Sequence, residues 1–394
     1  MKRILPTIVL SQFFCTSLWF AGNAIMPDIA NQLQLTSSYL AHLASAVQLG
    51  FISGTLIFAV LSISDRFSPS KVFFACSIIA AVFNLAICLK GINADTLLVL
   101  RFLSGFFLAG IYPVGMKIAS DYFQHGLGKS LGFLVGALVL GTAFPHLLKS
   151  MTTTLPWKWV IFFTSFLSVL GGLLMQLLVP DGPHRTPGQK PNLIAFLKGF
   201  SNNKFRAAAF GYFGHMWELY AFWVFVPVML ATFNKHFPNA DINIPFLSFL
   251  IIASGSIACV ISGLVSQRWG EKKIATIALF ISGACCLLSP LFLFSGSVSA
   301  LIIFLFIWGI AVIADSPLFS TLVAKNAPAG SKGASLTIVN CIGFAITIVS
   351  IQLINAWMND ENSSYIYLLL APGPVFGLIA LLWRNNKDRN EIYK

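Results

Sequence analysis

The sequence predicts an all-α integral membrane protein of twelve transmembrane helices in two pseudo-symmetric six-helix bundles. Three observations carry this expectation. The chain is 57% hydrophobic and 10% charged, with a mean hydropathy of +0.82, whereas soluble domains are about 25% charged. Apolar runs recur along its whole length, and about 20 apolar residues suffice to cross a hydrocarbon core about 30 Å thick. The two halves also repeat. Trp19-Phe20-Ala21 precedes Pro27 as Leu219-Tyr220-Ala221 precedes Pro227. Asp65-Arg66 falls on Gln267-Arg268, and Gly105 with Pro113 falls on Gly309 with Pro317. A duplicated helix set with a site at the seam between its halves is the plan of secondary transporters.

The runs lie at 5–27, 39–62, 71–90, 96–118, 129–149, 158–179, 205–232, 244–267, 274–294, 298–324, 333–355 and 363–384, numbered here spans 1 to 12. Span 1 follows Met-Lys-Arg and resembles a signal peptide only superficially. Its run is too long for an h-region and lacks a small-x-small cleavage site before the polar turn beginning at Asp28. It is therefore read as a retained helix. Span 6 ends at Pro180-Asp-Gly-Pro-His-Arg-Thr-Pro, whose proline and glycine break the helix. Leu193, Phe196, Leu197 and Phe200, with Lys198 and Lys204, then form a short basic amphipathic stretch expected to lie on the inner membrane surface. The expected organisation is thus an N-terminal bundle (1–180), a cytoplasmic linker (181–204) and a C-terminal bundle (205–394). The other loops are short and leave no room for a soluble catalytic domain.

The net charge of +12 follows membrane topology and does not point to nucleic acid. With loops assigned alternately from a cytoplasmic N-terminus, Arg101 falls within a span. Only Lys90, Lys149, Lys158 and Lys235 fall outside, and the remaining basic residues all lie on the cytoplasmic side. This positive-inside bias places both termini in the cytoplasm, with a bacterial inner membrane as the expected location. All seven cysteines lie within spans, where they read as small buried apolar residues. Nothing in their spacing suggests a metal site, and no cofactor is expected.

Span 2 ends Leu61-Ser-Ile-Ser-Asp65-Arg66-Phe-Ser-Pro69-Ser70-Lys71, and span 8 ends Gly263-Leu-Val-Ser-Gln267-Arg268-Trp-Gly270-Glu-Lys272. The second resembles the loop motif G-x-x-x-D-R-x-G-x-[KR] of the major facilitator superfamily, with Gln for Asp. The first keeps Asp-Arg but has Leu61, Ser68, Pro69 and Ser70 at the other motif positions. Span 4 carries Arg101-x-x-x-Gly105-x-x-x-Ala109-Gly110, similar to the family's span-4 motif. Span 5 carries Gly132, Gly136, Gly141 and Pro145, a reduced form of its glycine-proline motif. The resemblance covers the whole chain and implies alternating-access transport of a small solute by a single chain. It implies that Asp65 faces the N-terminus of span 11 and, with Asp121, latches the cytoplasmic side, while Arg66 or Lys71 serves as the basic partner. Gln267 and Arg268 would be the matching gate residues of the second half. Gly132 and Gly136 form a small-xxx-small pair suited to close helix approach.

Charges in hydrocarbon are costly, so the few present are functional candidates. Glu218 lies near the middle of span 7 and Asp315 about 16 residues into span 10, opposite Leu18 and Ile111 in the first half. A low-dielectric setting favours a neutral carboxyl, which allows proton uptake and release near neutral pH. His215 stands three residues before Glu218 on one helix face, a pairing that could relay a proton. Arg101 could reach outward to Asp95 or anchor an anion in the cavity. His42, His146, and the pair Trp19 and Asn23 on one face of span 1 border the expected cavity, and Trp217, Tyr220 and Trp223 are expected around Glu218.

The expected function is secondary active transport of a small solute, proton-coupled, with Arg101, His42 and His146 suggesting a small organic anion. The alternatives are proton-driven efflux of amphipathic or cationic compounds and a non-transporting receptor on the same fold. A nitrate carrier is disfavoured, since spans 2 and 8 lack the buried Arg of such carriers. A membrane enzyme is not expected, because no nucleophile–base or metal cluster is present. The charge asymmetry makes the first testable prediction. A reporter fused after Lys394 should be active in the cytoplasm, and activity only on the outer side would reverse the topology.

Overall fold

A computed structural model of the chain describes residues 3–36, 39–123, 127–151, 156–185, 195–328 and 332–383. Among these residues every regular element is helical. Six transmembrane units make up the first half. α1 comprises Ile4–Thr16, Ala21–Ala24 and Met26–Leu33, and α2 is Tyr39–Val60. α3 is Pro69–Ala86, and α4 comprises Ala94–Leu108 and Tyr112–Tyr122. α5 is Leu127–Met151 and α6 is Lys158–Leu178. The second half holds α7 (Asn203–His236), α8 (Ile244–Trp269), α9 (Glu271–Leu293), α10 (Val298–Ala314 and Ser316–Asn326), α11 (Lys332–Trp357) and α12 (Ile366–Leu382). Ten of these are long and apolar enough to cross a membrane on their own, and α1 and α12 are shorter because local turns interrupt them.

The chain marks where helices begin. The side chains of Asn93, Asn202, Asn243 and Ser297 each accept a backbone N–H in the first turn of α4, α7, α8 and α10, which meets one of the free donors at a helix start. Pro69 opens α3, where its missing N–H costs nothing. Gly270, at φ +86°, turns the chain between α8 and α9. Large apolar side chains left exposed, such as Phe166, Ile257, Phe280 and Leu291, face outward, as a helix bundle in lipid requires.

Three helices break near mid-membrane. α1 loses regular helix at residues 17–20, α4 at residues 109–111 and α10 at Asp315. The duplicated prolines Pro113 and Pro317 sit in the first turn of the second halves of α4 and α10, so the repeat seen in sequence is a repeat of helix breaks. Within the first half α2 packs on α4, and across the seam α2 packs on α11 and α5 on α8. Gly132 and Gly136 let α5 approach α8 closely. A Cβ on Gly132 would stand 3.1 Å from the Cys259 carbonyl oxygen, and one on Gly136 2.9 Å from that of Ser256. The linker after α6 forms a 3-10 helix, Ala195–Ser201, whose Phe200 packs on Phe205 and Phe210 of α7 while Leu197 is exposed. Leu193 lies outside the described residues.

Packing at the α2–α4 contact is tight enough to test. A Cβ at Gly105 would overlap the Val47 carbonyl, whereas Gly333 at the start of α11 has nothing within 4 Å. Gly105→Ala should therefore destabilise by about 1–3 kcal/mol, and Gly333→Ala should be neutral or stabilise by up to about 1 kcal/mol. Thermal unfolding of the two variants checks this. Equal melting temperatures would show that the α2–α4 contact yields freely.

Candidate functional site

Aromatic side chains from both bundles meet at the seam. Trp19 from the break in α1 packs on Phe51 of α2 (4.9 Å between ring centroids), on Tyr220 of α7 (5.8 Å) and on Phe344 of α11 (5.7 Å). Tyr220 packs in turn on Trp223 (5.1 Å) and Phe344 (5.1 Å), and Phe20 meets both Tyr220 and Trp223 edge-on. The indole N–H groups of Trp19 and Trp223 and both ends of the Asn23 side chain are buried without a hydrogen-bond partner among the described residues. Buried donors left open in this way are uncommon in folded proteins. On one side of this layer Gln48 accepts from Thr347 (2.7 Å) and Gln352 donates to Ser45 (2.8 Å), both between α2 and α11.

The intramembrane charges sort into three separate sites. His215 Nδ1 lies 2.8 Å from Asp315 Oδ1 with both side chains about 1% exposed. The pair joins α7 to the break in α10 beneath Tyr212 and Phe319. Asp315 ends one half-helix and caps the N-terminal side of the next, where the helix dipole favours negative charge. Among the described residues His215 Nε2 and both Asp315 carboxylate oxygens have no hydrogen-bond partner, the 2.8 Å approach being an ion-pair contact. Glu218 is turned instead toward α9 and α10, where Ser282 (2.7 Å), Cys286 (3.2 Å) and Trp308 donate to its carboxyl. The sequence expectation of a Glu218–His215 pair is thus corrected: three residues' separation leaves about 60° between the side chains, enough to give them different partners.

Two further expectations are corrected. Trp217 does not surround Glu218, for it donates to the Leu369 carbonyl of α12 (2.9 Å). Arg101 neither reaches Asp95 nor stands open in the cavity. It is fully buried, donating to the carbonyls of Leu18 (3.2 Å) and Trp19 and to Asn84 Oδ1 (3.3 Å). At the turn of residues 17–20 the Leu18 carbonyl keeps only a long backbone bond, from the Ala21 N–H at 3.4 Å, and the guanidinium supplies the donors that lipid lacks. Of the two other candidate histidines, His42 is exposed on α2 beside Tyr39. His146 is buried in α5 with Nε2 unpartnered. Among the described residues no group of three His, Cys, Asp or Glu side chains could hold a metal ion.

At the Lys/Arg-rich end Asp65 pairs with Lys117 of α4 at 2.8 Å, correcting the expectation of Arg66 or Lys71. Arg66 is exposed. Arg185, just after α6, donates to the carbonyls of Asp65 (3.3 Å) and Phe67 (2.9 Å) and pairs with Asp181, which accepts from Ser68 (2.6 Å). Asp121 accepts the His184 N–H through its carbonyl (3.1 Å). The expected contact of Asp65 with the start of α11 falls beside residues 329–331, outside the described residues. In the second half Gln267 and Arg268 are exposed, and Glu271 pairs instead with Lys325 of α10 (2.5 Å). Each half therefore ties its loop acid to a lysine on the broken helix, α4 or α10.

The fold agrees with that of known proteins the chain is similar to. A profile of the Major Facilitator Superfamily matches residues 8–351. This chain belongs to the major facilitator superfamily. AraJ of Escherichia coli (strain K12) is 23% identical over 344 residues, covering 84% of this chain and 82% of AraJ. The MFS-type transporter YybF of Bacillus subtilis (strain 168) is 21% identical over 290 residues, covering 71% and 69%. Among solved structures, the human organic anion transporter MFSD10 (TETRAN) superposes with a TM-score of 0.76 at 14% identity, covering 96% of this chain and 99% of that one. As a superfamily member the chain is an integral multi-pass membrane protein and a secondary transporter of a solute.

The sequence reading missed Trp308, Ser282 and Cys286 around Glu218, and Lys117 and Lys325 as the partners of Asp65 and Glu271. Lys117 was findable, since it stands four residues before Asp121 on one face of α4. The partners of Glu218 lie 64 to 90 residues away, beyond any local pattern. The Asp65–Lys117 pair is about one-quarter exposed, so it should couple by roughly 0.2–1 kcal/mol. Thermal unfolding of Asp65→Asn, Lys117→Gln and the double variant should return that coupling. Strictly additive losses would mean the two charges merely lie near each other.

Proposed function

We propose that this transporter carries a small organic anion across the seam in exchange with proton movement, and that the His215–Asp315 pair is its proton-binding group. The observation that carries the reading is a buried imidazole–carboxylate pair placed at the break of α10, about one and a half to two helical turns from the seam aromatics Tyr220 and Trp223 of α7. A shared proton lets such a pair change charge without leaving an unpaired ion in a dry interior. The open indole N–H groups of Trp19 and Trp223 can only donate, so a substrate seated between them must bring acceptors. Glu218 is not free at the seam for a cation, because three donors hold it, and Asp315 faces the His215 imidazole at 2.8 Å. This favours the anion over amphipathic or cationic efflux substrates.

In the same reading, residues 1–180 and 205–394 rock as two bodies about the 181–204 linker, with both termini in the cytoplasm of a bacterial cell and one chain supplying the whole path. Asn23, His146, Tyr220 and the aromatic layer belong to the substrate path. Arg101 supports it from behind by holding the α1 break that presents Trp19, and Asp65, Lys117, Asp121 and Arg185 to the cytoplasmic gate.

The test is flux in proteoliposomes loaded against a proton gradient with a panel of aromatic and aliphatic carboxylates. Asp315→Asn should abolish accumulation against a gradient while leaving counterflow exchange largely intact. Wild-type accumulation by Asp315→Asn would remove the pair from the coupling step, and solute binding without any flux would make the protein a receptor.

A further inference from the structure

We propose that the cleft between the basic ends of α7 and α12 is a binding site for an anionic phospholipid of the cytoplasmic leaflet. Its phosphate would rest on Arg206, and its acyl chains would run along Phe210, Phe376 and Ile379. The cleft encloses about 470 Å³ and its rim carries Asn203 and Arg206 on α7 and Trp383 after α12. Phe376, Ile379 and Trp383 are 49%, 53% and 73% exposed, so the cleft opens to the surroundings of the bundle and not toward the seam. Phe210 and Phe376 meet edge-on at 5.6 Å and form its apolar wall.

The charge at its mouth selects the occupant. The Arg206 guanidinium donates to Asn203 Oδ1 (2.7 Å) and the Phe200 carbonyl (3.4 Å), and among the described residues no carboxylate pairs with it. Those bonds leave several N–H donors in a planar fork that matches phosphate oxygens. Trp383 lies at the same end, where indole rings favour the headgroup boundary. One cation above an aromatic wall, at the Lys/Arg-rich end of a membrane protein, is the pattern that recruits anionic headgroups between helices. The smaller cavity of about 260 Å³ near the opposite end has no guanidinium fork, for its one cation is the Lys158 ammonium, which donates to the Cys88 carbonyl and lies over the Trp157 ring. The leaflet rests on the orientation proposed above, whereas the lipid–Arg206 contact does not.

The test is native mass spectrometry of the full chain released from mixed micelles of phosphatidylglycerol and phosphatidylcholine. Wild type should retain phosphatidylglycerol over phosphatidylcholine, and Arg206→Gln should lower that retention roughly fivefold or more. Lys204→Gln removes the same charge from the exposed side of α7 and should leave retention unchanged. Ala380→Leu fills the cleft while keeping Arg206, and it too should lower retention, so the proposal survives a folding defect in Arg206→Gln. Equal retention of the two lipids by wild type would overturn it. So would wild-type retention by Arg206→Gln or Ala380→Leu, or an equal loss in Lys204→Gln. A reporter on the wrong side of the membrane would move the lipid to the other leaflet and leave these results standing.

Discussion

A bilayer offers no hydrogen bonds, so each interrupted helical turn must be met by a group the protein supplies. That constraint organises this molecule. α1 breaks beside the seam, and the buried Arg101 donates to the carbonyls of Leu18 and Trp19 at that break. α10 breaks at Asp315, whose carboxylate stands at the start of the next half-helix and pairs with His215. Without Arg101 the break in α1 would be costly, at the α10 break the Cys259 thiol donates to the Ile313 carbonyl (3.6 Å), and without the breaks Trp19 and Asp315 would not stand where they do. The rare charges of the membrane interior therefore serve first as parts of the scaffold, and chemistry is built on them.

The seam shows a division of labour between the halves. The first half supplies a cation that holds backbone and an indole that faces across. The second supplies the titratable pair and most of the aromatic layer. At the basic end the halves do match, since Asp65–Lys117 and Glu271–Lys325 tie equivalent loops to equivalent broken helices. Duplication fixed the frame and the gates, while the middle of each bundle diverged.

The helix count, the duplication with its matched prolines Pro113 and Pro317, and the small-residue pair Gly132 and Gly136 were legible in the sequence, because each is a local pattern, whereas the helix breaks beside those prolines and the α8 partner of those glycines are seen only in the structure. Which acid faces which partner was not legible either. His215 pairs with a residue 100 positions away, and its neighbour Glu218 is satisfied by Ser282, Cys286 and Trp308 on two other helices. Rotation about a helix axis decides such pairings, and packing sets that rotation. Arg101 was singled out as rare but expected either to reach Asp95 or to face the cavity, because the sequence reading treated α1 as one unbroken helix and so saw no carbonyls for it to meet.

The account stands on two bundles that move about an aromatic seam. Spin labels replacing the exposed Arg66 and Arg268 report the basic ends of the bundles, and labels at Asn31 and His236 report the opposite ends. Their distances should be measured in reconstituted protein across pH and with transported carboxylate present. The account predicts that one pair lengthens as the other shortens, with the balance shifting when proton or substrate is supplied. A single fixed distribution at both ends under every condition would contradict it.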